Sequence, residues 1–83
     1  MILQNVEEGQ LIHLFWLDSA SLAGWHYDNL EPEPKVIETT GFVVSIGEDA
    51  IAITSSRSPT GGVVSPLIIP TCCIREYKIV ELR

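Results

Sequence analysis

The chain reads as an all-β domain of small-barrel type, built from five antiparallel strands. Three observations predict this. Short apolar runs rich in β-branched and aromatic residues recur along the chain, separated by Gly-, Pro- and Ser-containing breaks. A glycine sits inside the longest such run, as expected where a strand bends round a small barrel. No segment carries a helical period of useful length.

The first strand is expected over residues 10–18, QLIHLFWLD. Alternation sends Leu11, His13, Phe15 and Leu17 to one face and Ile12, Leu14 and Trp16 to the other. Both faces are apolar, which suits a strand with the core on one side and a second subunit or covering segment on the other. Phe15 and Trp16 should therefore point in opposite directions.

Residues 19–34, SASLAGWHYDNLEPEP, lose all periodicity and form a long loop, a length that in compact domains is often functional. Strand character returns over 35–46, with Gly41 as the bend, and residues 47–49 (Gly-Glu-Asp) are a tight-turn signal. Residues 50–56 follow, with Ile51 and Ile53 on one face. A second loop, RSPTGG, covers 57–62, and a fourth strand is expected over 63–69, where Pro66 implies an edge position. Pro70 should end it. A tight turn and a final strand complete the chain, with Ile74, Tyr77, Ile79 or Val80, and Leu82 available for burial.

Eighty-three residues allow a single domain, 1–83, with a thin core. Hydrophobic residues make up 46% of the chain and charged ones 19%, too apolar a balance for a disordered tail and one that favours self-association. The net charge of −6 and the scattered placing of Lys35, Arg57, Arg75, Lys78 and Arg83 argue against broad phosphate-backbone binding. Cys72 and Cys73 are adjacent, so an intrachain bridge is disfavoured and a reducing compartment expected. No run approaches the length that spans a bilayer, and no membrane partner is expected. Residues 1–10 carry Glu7 and Glu8 rather than a basic leader. The reading is of a soluble cytoplasmic protein.

No HExxH, CxxC or glycine-rich phosphate loop occurs, and His13, His26, Cys72 and Cys73 lack the spacing of a metal site. Neither a cofactor nor catalysis is expected. The constellation that stands out is Trp16-Leu17-Asp18-Ser19 followed by Gly24-Trp25-His26-Tyr27. One reading makes it structural: Trp25 plugs the barrel end and Asp18 caps a turn. The other makes it a ligand site of Trp16, Asp18, Ser19, Trp25, His26 and Tyr27, with a planar ligand stacked on Trp25 or Tyr27 and its anionic group met by Arg57.

Trp16-Leu17-Asp18-Ser19, Gly24-Trp25, Thr39-Thr40-Gly41, Gly47-Glu48-Asp49, and Ile69-Pro70 with Ile74 together resemble a family of small phage-encoded Sm-like barrel proteins, over about residues 10–82. The resemblance implies a five-stranded, antiparallel Sm-like small β-barrel of the Src-homology-3-like class, ring or other homo-oligomer formation, and no catalytic residue. The Asn-centred and Arg-Gly segments through which Sm-like rings hold RNA are not legible: Arg75 is followed by Glu76. Three functions follow in order of preference. The first is an oligomer binding a small, nucleotide-like ligand between subunits, as a sponge for a host defence signal would. A protein-interaction or assembly module comes second, and an RNA-binding ring third.

Overall fold

The computed structural model describes residues 3–19, 25 and 32–82. It is all-β: β1 (Leu11–Asp18), β2 (Lys35–Ile46), β3 (Ala50–Thr54), β4 (Leu67–Pro70) and β5 (Ile74–Val80), with a 3₁₀ turn at Thr71–Cys73. The strands form one antiparallel sheet in the order β4-β3-β2-β1-β5.

β4 and β5 sit at opposite edges and do not pair, so the sheet is not closed into a barrel by hydrogen bonds. It is nonetheless strongly curled. Laid flat, four strand spacings would separate the two edges by about 19 Å. The 3₁₀ turn that joins Pro70 to Ile74 advances only about 8 Å at its usual rise. The sheet must wrap so that its edges approach, and the core records the result: Ile69 of β4 and Ile74 of β5 are buried in one cluster with Ile12, Leu14, Trp16, Val43, Ile51 and Ile53.

β2 makes the wrap possible. Its first part, through Phe42, pairs with β1, and from Phe42 onward it pairs with β3, so Phe42 faces Leu11 on one side and Thr54 on the other. Gly41 is buried at this handover, where the backbone of Thr54 passes too close for any side chain. The register irregularity of β2 lies just beyond Gly41, between Val43 and Ser45. Gly47 closes the next turn by donating its N–H to the Ala50 carbonyl at 2.8 Å.

β1 alternates as its sequence predicts: Ile12, Leu14 and Trp16 are buried, while Leu11, His13, Phe15 and Leu17 lie half-exposed on the outer face. Phe15 and Trp16 point to opposite sides. The indole N–H of Trp16 donates to Thr39 Oγ1 at 2.9 Å, which satisfies the one polar group this side chain brings into the core.

Three expectations need correction. The fourth strand covers only Leu67–Pro70, because Ser65 adopts a positive φ and Pro66 supplies no N–H, leaving Val63 with an isolated bridge to Arg57. Pro70 ends that strand as its last residue. Leu82 is 63% exposed, lying beyond the last β1 partner, whereas Ile74 is buried and Tyr77 packs on the core. The third strand also stops at Thr54, whose hydroxyl turns to the backbone of the following loop, 2.6 Å from the Val64 carbonyl.

The N-terminal segment has a role that composition did not reveal. Leu3 and Val6 pack against the core, and the Gln4 N–H donates to the Tyr77 hydroxyl at 2.7 Å. Gly9, with φ of +87°, turns this strap into the sheet. Its N–H donates to the Val43 carbonyl at 2.8 Å, and the Val43 N–H donates to Gln10 at 2.8 Å.

Candidate ligand-binding site

The candidate residues separate along β1. Phe42, opposite Leu11, marks one end of the strand, and Asp18 ends the other. Seven residue steps lie between, about 24 Å at the usual strand rise. Arg57 belongs to the first end; Asp18 and Ser19 belong to the second.

Arg57 is held from behind. Its guanidinium carbon stands 4.0 Å over the centre of the Phe42 ring, and Nη1 donates to the Gly9 carbonyl at 2.8 Å. The residue begins a small loop pinned by Ser58: its N–H donates to the Gly62 carbonyl at 2.8 Å, and its hydroxyl accepts from the Gly62 N–H at 2.9 Å. An open depression of about 400 Å³ lies beside it, lined by Ser56, Arg57, Ser58, Gly62, Val63 and Val64. Ser56, Ser58, whose hydroxyl is already bonded to Gly62 and Thr60, and the held Arg57 cation therefore line the depression beside Val63 and Val64. Such a mixture suits a small ligand with an anionic group and a flatter, less polar part.

At the other end Asp18 Oδ1 accepts the Ser19 N–H at 2.8 Å, which sets the direction in which the chain leaves β1. The thiols of Cys72 and Cys73 are free and 4.0 Å apart. Partial burial, then neighbouring Cys72, and then the Asp18 carboxylate raise the Cys73 pKa above its ordinary value. Trp25 is 88% exposed, so it plugs no barrel end. His26 and Tyr27 lie outside the described residues.

Trp16 has no ligand-facing surface. It is 8% exposed, and its N–H is already used by Thr39. The structure thus joins Asp18 to Ser19, sets Trp25 free, and keeps Arg57 at the far end of the strand. No single copy brings Arg57 to the Asp18 end.

A feature not singled out from the residues runs along the outer face. His13 Nε2 lies 2.6 Å from Glu38 Oε2, and the His13 ring is tilted at 5.3 Å from Phe15. A shallow groove of about 190 Å³ is lined by His13, Phe15, Glu76, Tyr77 and Lys78. The signal was present in the doubly apolar strand QLIHLFWLD, but the partners Glu38 and Lys78 come from β2 and β5, whose register the sequence alone does not fix. Among the described residues no group of three or more His, Cys, Asp or Glu side chains is placed to hold a metal ion. No protein-family model, no curated protein and no solved structure matches the chain.

Proposed function

We propose that this chain is a non-enzymatic, self-associating small β-barrel of the Sm-like kind, which binds a small anionic, nucleotide-like ligand at the Arg57 depression. The observation that carries the reading is the way Arg57 is fixed. Phe42 and the Gly9 carbonyl hold one side of the guanidinium in place, so its remaining N–H groups can meet an anion without first losing much freedom. Ser56 adds a polar side chain to the same space, and Val63 and Val64 add an apolar wall.

A flat aromatic surface is missing from that end of the chain. Trp25 is the exposed aromatic candidate, and Asp18 and Ser19 lie at the opposite end of β1 from Arg57, so a second copy would bring them together. This retains a site between subunits, with Arg57 from one copy and the Asp18, Ser19 and Trp25 end from another. The resemblance to small phage-encoded barrels makes a sponge for a host signal molecule, acting in the host cytoplasm, the biological setting of this reading. RNA binding ranks below it, because a net charge of −6 opposes a polyanion while one fixed arginine suffices for a small one. An assembly module is the second reading, favoured by the free edge of β5.

The test is ligand retention. Protein purified from cells is denatured, and the released small molecules are weighed by mass spectrometry for the wild type, Arg57→Lys and Arg57→Ala. Loss of a charge-assisted contact of about 1.5–3 kcal/mol should empty Arg57→Ala by roughly ten- to a hundred-fold, with Arg57→Lys between the two. Equal retention by all three would remove Arg57 from the site.

A further inference from the structure

The sheet has two free edges, and they are not equivalent. β4 is four residues long, follows Pro66 and ends in Pro70, so prolines without N–H groups blunt it as a template for pairing. β5 is seven residues long, IREYKIV, and contains no proline. One side of it pairs with β1, and among the described residues no backbone hydrogen bond reaches its other side.

The sequence of β5 fits its own copy. Arg75 has no β1 partner, because the register shifts between Phe15 and Trp16, so the regular part of β5 is residues 76–80. Laid antiparallel about a two-fold axis through Tyr77, Glu76 of each copy stands directly opposite Lys78 of the other. Opposite charges facing across adjacent strands attract, and like charges repel. Shifting the register exposes the choice. One step one way sets Arg75 against Lys78, and one step the other way leaves no charge pair. Two steps set Glu76 against Glu76, or Lys78 against Lys78. Glu76 and Lys78 are both exposed, and among the described residues neither has an ion pair within its own chain. They also line the outer groove with His13 and Phe15, so the new pairs would form beside an existing apolar floor.

We propose that two copies of this chain join edge to edge through β5, antiparallel and centred on Tyr77, to make one continuous ten-stranded sheet. The interface is isologous, the same strand serving both sides. It rests on the self-association in the reading above and gives that reading a geometry. Because the strands run antiparallel across the axis, the Asp18 end of one copy lies on the same side of the dimer as the Arg57 end of the other.

The test uses the full chain in light scattering coupled to size-exclusion chromatography, with circular dichroism to confirm the β-sheet. The wild type should be a dimer, or an even-numbered assembly of dimers. Glu76→Lys and Lys78→Glu each create two like-charge pairs and should weaken dimerisation by about tenfold or more. The double variant Glu76→Lys/Lys78→Glu restores both pairs and should dimerise again. An equimolar mixture of the two single variants should form a heterodimer, since every facing pair is then of opposite sign, and this also shows that both single variants are folded. A wild-type assembly unmoved by either single change, or a mixture that stays apart, overturns the β5 interface and leaves self-association standing. A wild-type monomer overturns both.

Discussion

Gly41 of β2 lies directly beneath Ile53 of β3: a Cβ at position 41 would collide with Ile53 Cγ2 and come within 2.7 Å of the Thr54 carbonyl oxygen. The neighbour on one side is backbone, which cannot rotate away. Gly41→Ala should therefore destabilise the fold by about 1–3 kcal/mol or more, the usual cost of overpacking a filled core. Chemical denaturation would show it as a lower midpoint with an unchanged slope.

The Trp16 and Thr39 pair predicts a different kind of loss. Thr39→Val keeps the shape of the side chain and removes the acceptor, leaving the indole N–H unpaired where Trp16 is almost fully buried. An unsatisfied buried donor costs about 1–3 kcal/mol. In a Trp16→Phe background no N–H remains to be stranded, so the same Thr39→Val change should cost much less. Equal costs in the two backgrounds would show that the bond contributes nothing.

Much of this fold was legible because alternation along β1 and the glycine within β2 are local signals. Ile12, Leu14 and Trp16 had to share a face whatever their partners, and Gly41 marked a special position in β2 without any knowledge of Thr54. The fourth strand was drawn too long because Val63 and Val64 have strand-forming side chains. The turn at Ser65 and Pro66, and the Thr54 hydroxyl reaching the Val64 carbonyl, prevail over that preference. The site was less legible. Arg57 reads in sequence as a free cation, and only the tertiary fold brings Gly9 and Phe42 to it, one from 48 residues away. Trp16 and Trp25, close in sequence, have opposite fates because one lies on a core-facing strand position and the other does not.

The two tryptophans separate spectroscopically. Trp25, in water, should dominate the red-shifted emission and its quenching by acrylamide, while buried Trp16 emits to the blue and resists quenching. Trp25→Phe should abolish the accessible component and change stability by no more than about 0.5 kcal/mol, as for an exposed side chain with few contacts. Persistence of an easily quenched population in that variant would contradict the burial of Trp16.

Cys73 provides a test through pH. Its thiolate is disfavoured by partial burial, by Cys72 and by Asp18, so the folded chain holds this proton to higher pH than the unfolded chain does. The stability linked to it is present below the unfolded thiol's pKa of about 8.5, and is lost as pH rises through the folded value. In a Cys72→Ser background, alkylation of Cys73 at mildly alkaline pH should be slower than that of a free cysteine. Asp18→Asn should speed it a few-fold by removing the carboxylate charge. An unchanged rate would place Asp18 too far away to act.

Copies of this chain should associate and hold a small anionic molecule at Arg57. Native mass spectrometry of protein purified from cells reads both halves at once, giving the subunit count and any retained mass. The prediction is an even-numbered assembly carrying an additional few hundred daltons, with the extra mass absent from Arg57→Ala while the subunit count is kept. A bare monomer would contradict it.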